Sequence, residues 1–471
     1  MQRKIYLIAV AVSAVVLLAA CKTSKEYQRP QVTVPVAYNG VSTADTLTIA
    51  DISWKQFFTD TLLQGLIGKA LQNNYDWQIA LKNIDRADKL LQQAKAGNYP
   101  TVNFQLGAQT TYLSQNSLNG LSTKTFLGKE HLEDYSAAFQ LQWEADIWGK
   151  IKQRKAKALA DYMATKEAVK GLQTKLVAEI ANSYYNLLML DEQLRIAQKN
   201  VVLNDSTVNV TKLQLTAGEV TSLAVKQAEA QRDNAALLIP QLQQAITLQE
   251  NALQILTGEL PGALPRNALA INVAGIDNLP TGIPALLLSK RPDIRQAELA
   301  LRSANASVNA AQAELYPALR ISANGGTNSF KASDWFNIPS SLFGLVAGSI
   351  VQPIFQHKEL KTQVEIAKIS RDQAVLQFRQ SVLVGVGEVS DALTQIDKLK
   401  EQQSIAAART NTLQKAIAES QLLYKSGLAN YLEVIVAQGT ALQSELALAD
   451  IRRQQNNAVI ALYKSLGGGW K

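Results

Sequence analysis

The sequence predicts a mainly α-helical chain with a transmembrane β-barrel part, laid out as two successive copies of one plan. Three observations point to it. Ala94 to Pro100 (Ala-Lys-Ala-Gly-Asn-Tyr-Pro) returns as Ala311 to Pro317 (Ala-Gln-Ala-Glu-Leu-Tyr-Pro), and Leu215-Thr216-Ala217-Gly218 returns as Tyr424-Lys425-Ser426-Gly427. The interval, about 210 residues, is far longer than a solenoid repeat. All twelve prolines lie at positions 30, 35, 100, 240, 261, 265, 280, 284, 292, 317, 339 and 353, so residues 101–239 and 354–471 are almost free of helix breakers. Within each copy, two short segments alternate apolar and polar residues with a period of two, as strands do.

The elements follow in chain order. Arg3 and Lys4 precede an apolar run from Ile5 to Leu18, too short for a comfortable span, which ends in Leu18-Ala19-Ala20-Cys21. Residues 1–20 read as a lipoprotein signal peptide and Cys21 as the lipidated residue. It is the only cysteine, which leaves no intrachain disulfide. Lys22 stands where Asp would favour inner-membrane retention, so sorting to the outer membrane is expected. Residues 21–52 form the anchor and an extended segment, with helix beginning near Ser53. The first repeat covers 53–258, a Pro- and Gly-rich inter-repeat segment covers 259–293, and the second repeat covers 294–471.

Helical periodicity is plainest after Trp148. Val169, Leu172, Leu176, Ile180, Tyr184, Leu187, Leu190 and Leu194 step by three or four along one stripe. A helix from Trp148 to Leu203 would run ~80 Å at 1.5 Å per residue, a rod that a globular domain does not use. Its copy follows Pro353-Ile354-Phe355.

The strands are expected at 101–113 and 135–144, and again at 318–327 and 342–352, with hairpin loops at 114–134 and 328–341. Val102, Phe104, Leu106, Ala108 and Tyr112 oppose Thr101, Asn103, Gln105, Gln109 and Thr111; Phe139, Leu141 and Trp143 oppose Gln140, Gln142 and Glu144. Leu342, Val346 and Ile350 should share the apolar side. Such segments suit either a membrane barrel or a soluble hairpin with one buried face. Four strands cannot close a barrel, and open edges in lipid cost several kcal/mol per orphan group. If the strands lie in a membrane, several chains share one barrel, and Gln105, Gln140 and Gln142 face its lumen.

Composition narrows the classes. Mean hydropathy is −0.05, and no apolar run after the signal would span a bilayer as a helix. The net charge of +8 comes from basic residues scattered among acidic ones, the pattern of solvated helix faces and not of a nucleic-acid partner. His131 and His357 are the only histidines and lack metal-ligand spacing; no phosphate loop or nucleophile elbow occurs. No metal, cofactor or enzymatic activity is expected, the only added group being the lipid on Cys21.

Several runs stand out together: Cys21 followed by Tyr27-Gln28-Arg29-Pro30; Trp54 with Phe57-Phe58 and Asp60; Leu66-Ile67 to Ala70-Leu71-Gln72-Asn73-Asn74; the doubled Tyr-Pro; Trp143 to Lys150; Arg291-Pro292-Asp293-Ile294-Arg295-Gln296-Ala297-Glu298; and Gln352-Pro353-Ile354-Phe355. With these runs the chain resembles the TolC-like outer-membrane efflux proteins, in their lipoprotein branch. The resemblance covers the whole mature chain. It implies a homotrimer, with a twelve-stranded β-barrel in outer-membrane lipid continued by a long α-helical barrel. The function it implies is passive export of small molecules such as drugs, with a periplasmic adaptor and an inner-membrane transporter of the RND type as partners. It further implies that the helical turns at Gly218, Glu219, Val220 and Ser222, and at Gly427, Leu428, Ala429 and Asn430, form the periplasmic tips that meet the adaptor. Relatives often carry acidic residues where Ala224 and Ala429 stand; Glu219, Glu419 and Glu433 are the carboxylates near these turns here. A type I protein-secretion duct is the neighbouring reading. A pore-less coiled-coil lipoprotein or adhesin is the rival from another class.

Overall fold

A computed structural model of the chain describes residues 26–32, 35, 48–268 and 284–471. Cys21 and most of 21–52, together with part of 259–293, lie outside the described residues. The principal elements are α1 (Thr61–Asn73), α2 (Tyr75–Ala96), β1 (Thr101–Tyr112), α3 (Leu118–Leu127), β2 (His131–Ala145), α4 (Lys150–Thr216), α5 (Ser222–Leu256), α6 (Pro292–Ala313), β3 (Ala318–Ser329), β4 (Leu342–Val351), α7 (Glu359–Lys425) and α8 (Tyr431–Ser465). Corresponding helices match in length: 22 residues for α2 and α6, 67 for α4 and α7, and 35 for α5 and α8. Each 67-residue helix is ~100 Å of rod.

Two compact units divide these elements, and each draws on both halves of the sequence. Among the described residues, one takes 26–30, 86–163 and 299–376; the other takes 31, 32, 35, 48–85, 164–268, 284–298 and 377–471. The first holds a four-stranded antiparallel sheet in the order β1-β2-β3-β4. Its register pairs Phe104 with Phe139, Gln140 with Asn324 and Arg320 with Ser349. Sequence-adjacent strands pair throughout, so β1 and β4 are left as edges.

The second unit is helical around one apolar core. Of the stripe read from the sequence, Val169, Leu176, Ile180, Tyr184, Leu187 and Leu190 are buried. Phe57 stacks on Tyr463 with centroids 4.0 Å apart, and the Tyr463 hydroxyl donates to the Ile52 carbonyl at 2.7 Å. The Arg-Pro-Asp run has a structural reason. Pro292 supplies the preset φ of a first helical residue, while buried Arg291 donates to Asp293, to Glu388 at 2.7 Å and to the Ser465 carbonyl at 2.8 Å. It therefore joins the start of α6 to α7 and to the last residue of α8.

Four boundaries differ from expectation. Strand β2 starts at His131, earlier than 135, because its hairpin with β1 zips as far as Tyr112, and β3 continues to Ser329 because Asn328 and Ser329 pair with Ser136 and Tyr135 of β2. The segment 114–134 is not a plain loop: α3 occupies Leu118–Leu127, capped by the Ser117 hydroxyl accepting from the Gly120 amide at 3.1 Å and closed by Gly128 at φ 65°. Helix α4 runs to Thr216, beyond Leu203, because nothing in 204–216 breaks it.

Candidate functional site: a two-faced sheet and two helical turns

Strand alternation sorts the sheet into two faces. On one lie Val102, Phe104, Leu106, Phe139, Leu141 and, by register, Leu342, Val346 and Ile350. Phe104, Leu106 and Phe139 are 59%, 61% and 60% exposed, so among the described residues nothing covers them. A soluble hairpin with one buried face would bury them. On the other face the Gln140 amide donates to the Gln105 carbonyl oxygen at 2.6 Å, across from Asn103 and beside Gln142. Phe343 and Leu345 also fall on this polar face, which alternation in β4 did not reveal.

Aromatic side chains mark both ends of the apolar face. At the hairpin end the Tyr135 ring meets Trp335, which stacks on Phe336. At the helix end Trp143 donates to the Asn98 carbonyl at 2.9 Å, while Trp148 stacks on Tyr316 and donates to the Pro317 carbonyl at 2.8 Å. Tyr135 to Trp143 is about 27 Å along the strand, shortened to roughly 21 Å by the usual tilt, near the height of an outer-membrane apolar band. Rings with one apolar and one polar end favour the membrane–water boundary.

The two helical turns lie in the second unit and share one construction. Gly218 and Gly427 have φ of 80° and 73°, a left-handed conformation open to glycine. Each ends its helix with paired amide bonds: Gly218 to the Leu215 carbonyl and Glu219 to Gln214; Gly427 to Tyr424 and Leu428 to Leu423. Asn430 caps the next helix by accepting from the Leu432 and Glu433 amides, whereas Thr221 makes no such bond. Glu219, Ser222, Leu428 and Asn430 are exposed, and Val220 and Ala429 are half-buried. Ala224 is 1% exposed, so a carboxylate there would be sealed into the packing.

Sequence reading missed what joins the turns. The Thr211 and Tyr424 hydroxyls meet at 2.9 Å in a buried position, the Tyr431 hydroxyl bonds Gln227, and Gln438 donates to Thr207 at 2.9 Å. The available signal was a set of Thr and Gln residues on otherwise apolar helical stripes.

The chain matches the family described as outer membrane efflux protein over residues 66–259 and 283–468. It belongs to that family. The chain is 30% identical over 461 residues to the cation efflux system protein CusC of Escherichia coli O6:H1, covering 96% of this chain and 97% of that one. The probable outer membrane lipoprotein SilC of Salmonella typhimurium is 28% identical over 466 residues, 98% of each chain. A crystal structure of CusC, concerned with folding and transmembrane channel formation, superposes with a TM-score of 0.85 at 28% identity, covering 95% of this chain and 100% of that one. Location and role come with the family: this is an outer-membrane efflux channel. The doubly exposed sheet accords with both.

Proposed function

We propose that three copies of this chain build one passive exit duct for a tripartite pump. The carrying observation is the sheet: one apolar and one amide-rich face, both uncovered, between two unpaired edges. Joining β4 of one copy to β1 of the next satisfies the edges without an open strand in lipid. Bore sets the lower limit on copies, and three is the number the family resemblance implies. Eight strands leave an interior that side chains fill, so two copies would plug the lumen; twelve strands open one. The polar face, with Gln105, Gln140 and Gln142, then lines the passage and the apolar face meets lipid.

In the same reading Cys21 carries the lipid anchor, which the lipoprotein name of SilC supports. The turns at Gly218 and Gly427 are the periplasmic tips that touch an adaptor protein, itself bridging to an RND-type inner-membrane transporter. The cargo is small solutes; the name of CusC, which speaks of cations, supports small solutes over the polypeptides of type I secretion. A duct has no catalytic step, and its task is a continuous polar path.

Purified protein in a planar lipid bilayer should conduct ions. A well-folded, membrane-inserted protein without conductance would leave the adhesin reading standing. For the tips, photocrosslinkers at positions 219 and 429 should capture a periplasmic protein; crosslinks confined to 114–134 and 328–341 would reverse the orientation.

A further inference from the structure

The polar face of the sheet is almost uncharged along its middle. Among its described strand residues, charge occurs at Asp134 near the hairpin end and at Glu144 and Arg320 near the helix end. Amides and hydroxyls separate them. Ten residues along β2 part Glu144 from Asp134, about 34 Å, against a Debye length of about 10 Å at 0.1 M salt. Each end therefore acts electrostatically alone.

At the helix end the charges do not cancel. The Glu144 carboxylate is paired with the Lys150 ammonium at the first residue of α4, both largely covered. Arg320, opposite Glu144 in the register, keeps its Nε 3.7 Å from that carboxylate, outside hydrogen-bond reach, with its side chain 59% exposed. The other nearby acids are occupied. Glu314 binds Arg154 at 2.6 Å, and both Asp146 oxygens accept amides of α4, from Ile151 and Lys152. Two cations thus share one carboxylate, and the guanidinium of Arg320 faces a cavity of about 770 Å³ also lined by Gln142, Ser322 and Ser349.

We propose that Arg320 determines charge specificity in the duct: a positive collar where strands meet helices, favouring anionic and zwitterionic organic solutes over metal cations. This rests on the polar face lining the lumen, where each added copy contributes another guanidinium. Low-dielectric walls around a shared bore concentrate such a field. Because the arginine is not locked into a bidentate pair, its charge stays available to passing solutes.

The test is reversal potential in a planar bilayer under a KCl gradient, with Arg320→Glu, Arg320→Gln and Arg320→Lys. Glu and Gln should raise the cation-over-anion permeability ratio by about threefold or more, and raising salt should shrink the difference. Lys should behave as the wild type. Should charge reversal hinder assembly, Arg320→Gln decides, since it leaves the Glu144–Lys150 pair intact. Variant channels of normal conductance with an unchanged ratio would overturn the proposal. A wild type that inserts and does not conduct would instead overturn the duct reading beneath it, so the two failures are told apart.

Discussion

Arg291 is 6% exposed, and a buried guanidinium persists where its donors are used. Here they reach Asp293, Glu388 and the Ser465 carbonyl. Arg291→Ala should cost about 2–4 kcal/mol in chemical denaturation, and Arg291→Lys should recover little, because an ammonium cannot make the fork. The motif was visible in the sequence; its partners, 97 and 174 residues away, were not. Glycines separate by φ in the same manner. At Gly427 an added Cβ meets nothing, so Gly427→Val pays only for its left-handed backbone, about 1–2 kcal/mol. Gly65, exposed in the middle of α1 with equally open space, should instead gain about 0.5–1 kcal/mol on Gly65→Ala. Acid acts at Asp51, where hydrogen bonds from Lys290 and Lys471 hold the carboxyl below its ordinary value of 3.8. A lowered carboxylate pKa adds stability above the unfolded value and loses it as pH falls through the folded one. Melting temperature should therefore drop below about pH 3.8, and less steeply in Asp51→Asn.

Among the elements, the long helices and the first three strands were legible because their periods persist for many residues, whereas β4 alternates poorly and was placed by its match to the first copy. Helix α3 was not. Ten residues with Gly120, Ser122 and two threonines carry little helical propensity or periodicity. Its signal was punctuation, Ser117 before it and Gly128 after it, which gains meaning only when read as a cap pair. The faces of the strands give a prediction with depth in it. Phe139 lies midway between Tyr135 and Trp143, whereas Leu141 lies two residues from the aromatic boundary. Arg at a lipid-facing midplane position costs about 2–4 kcal/mol and much less near an interface. Phe139→Arg should thus damage folding into vesicles more than Leu141→Arg. Gln140→Arg, on the opposite face, should fold and change conductance. Equal damage at 139 and 140 would mean the faces are misassigned.

For the whole molecule, duplication within one chain supplies two hairpins, and a membrane accepts them only once their edges are paired. The two halves reach the same helix lengths, so successive hairpins present alike and a ring can close with one repeated contact. Strand count alone led to sharing of a barrel; the number three came with the family resemblance, and bore adds that two copies are too few. Two copies give eight strands, whose interior side chains fill, and three give twelve with open space. Detergent-extracted protein should therefore have a native mass near three chains of 51.3 kDa, apart from processing and lipid. Mixed expression of tagged and untagged chains should yield assemblies carrying zero to three tags. A mass of two chains would close the barrel without a passage and contradict transport through it. A stable single chain in detergent would leave β1 and β4 unpaired, and would show that the exposed edges are satisfied in some other way.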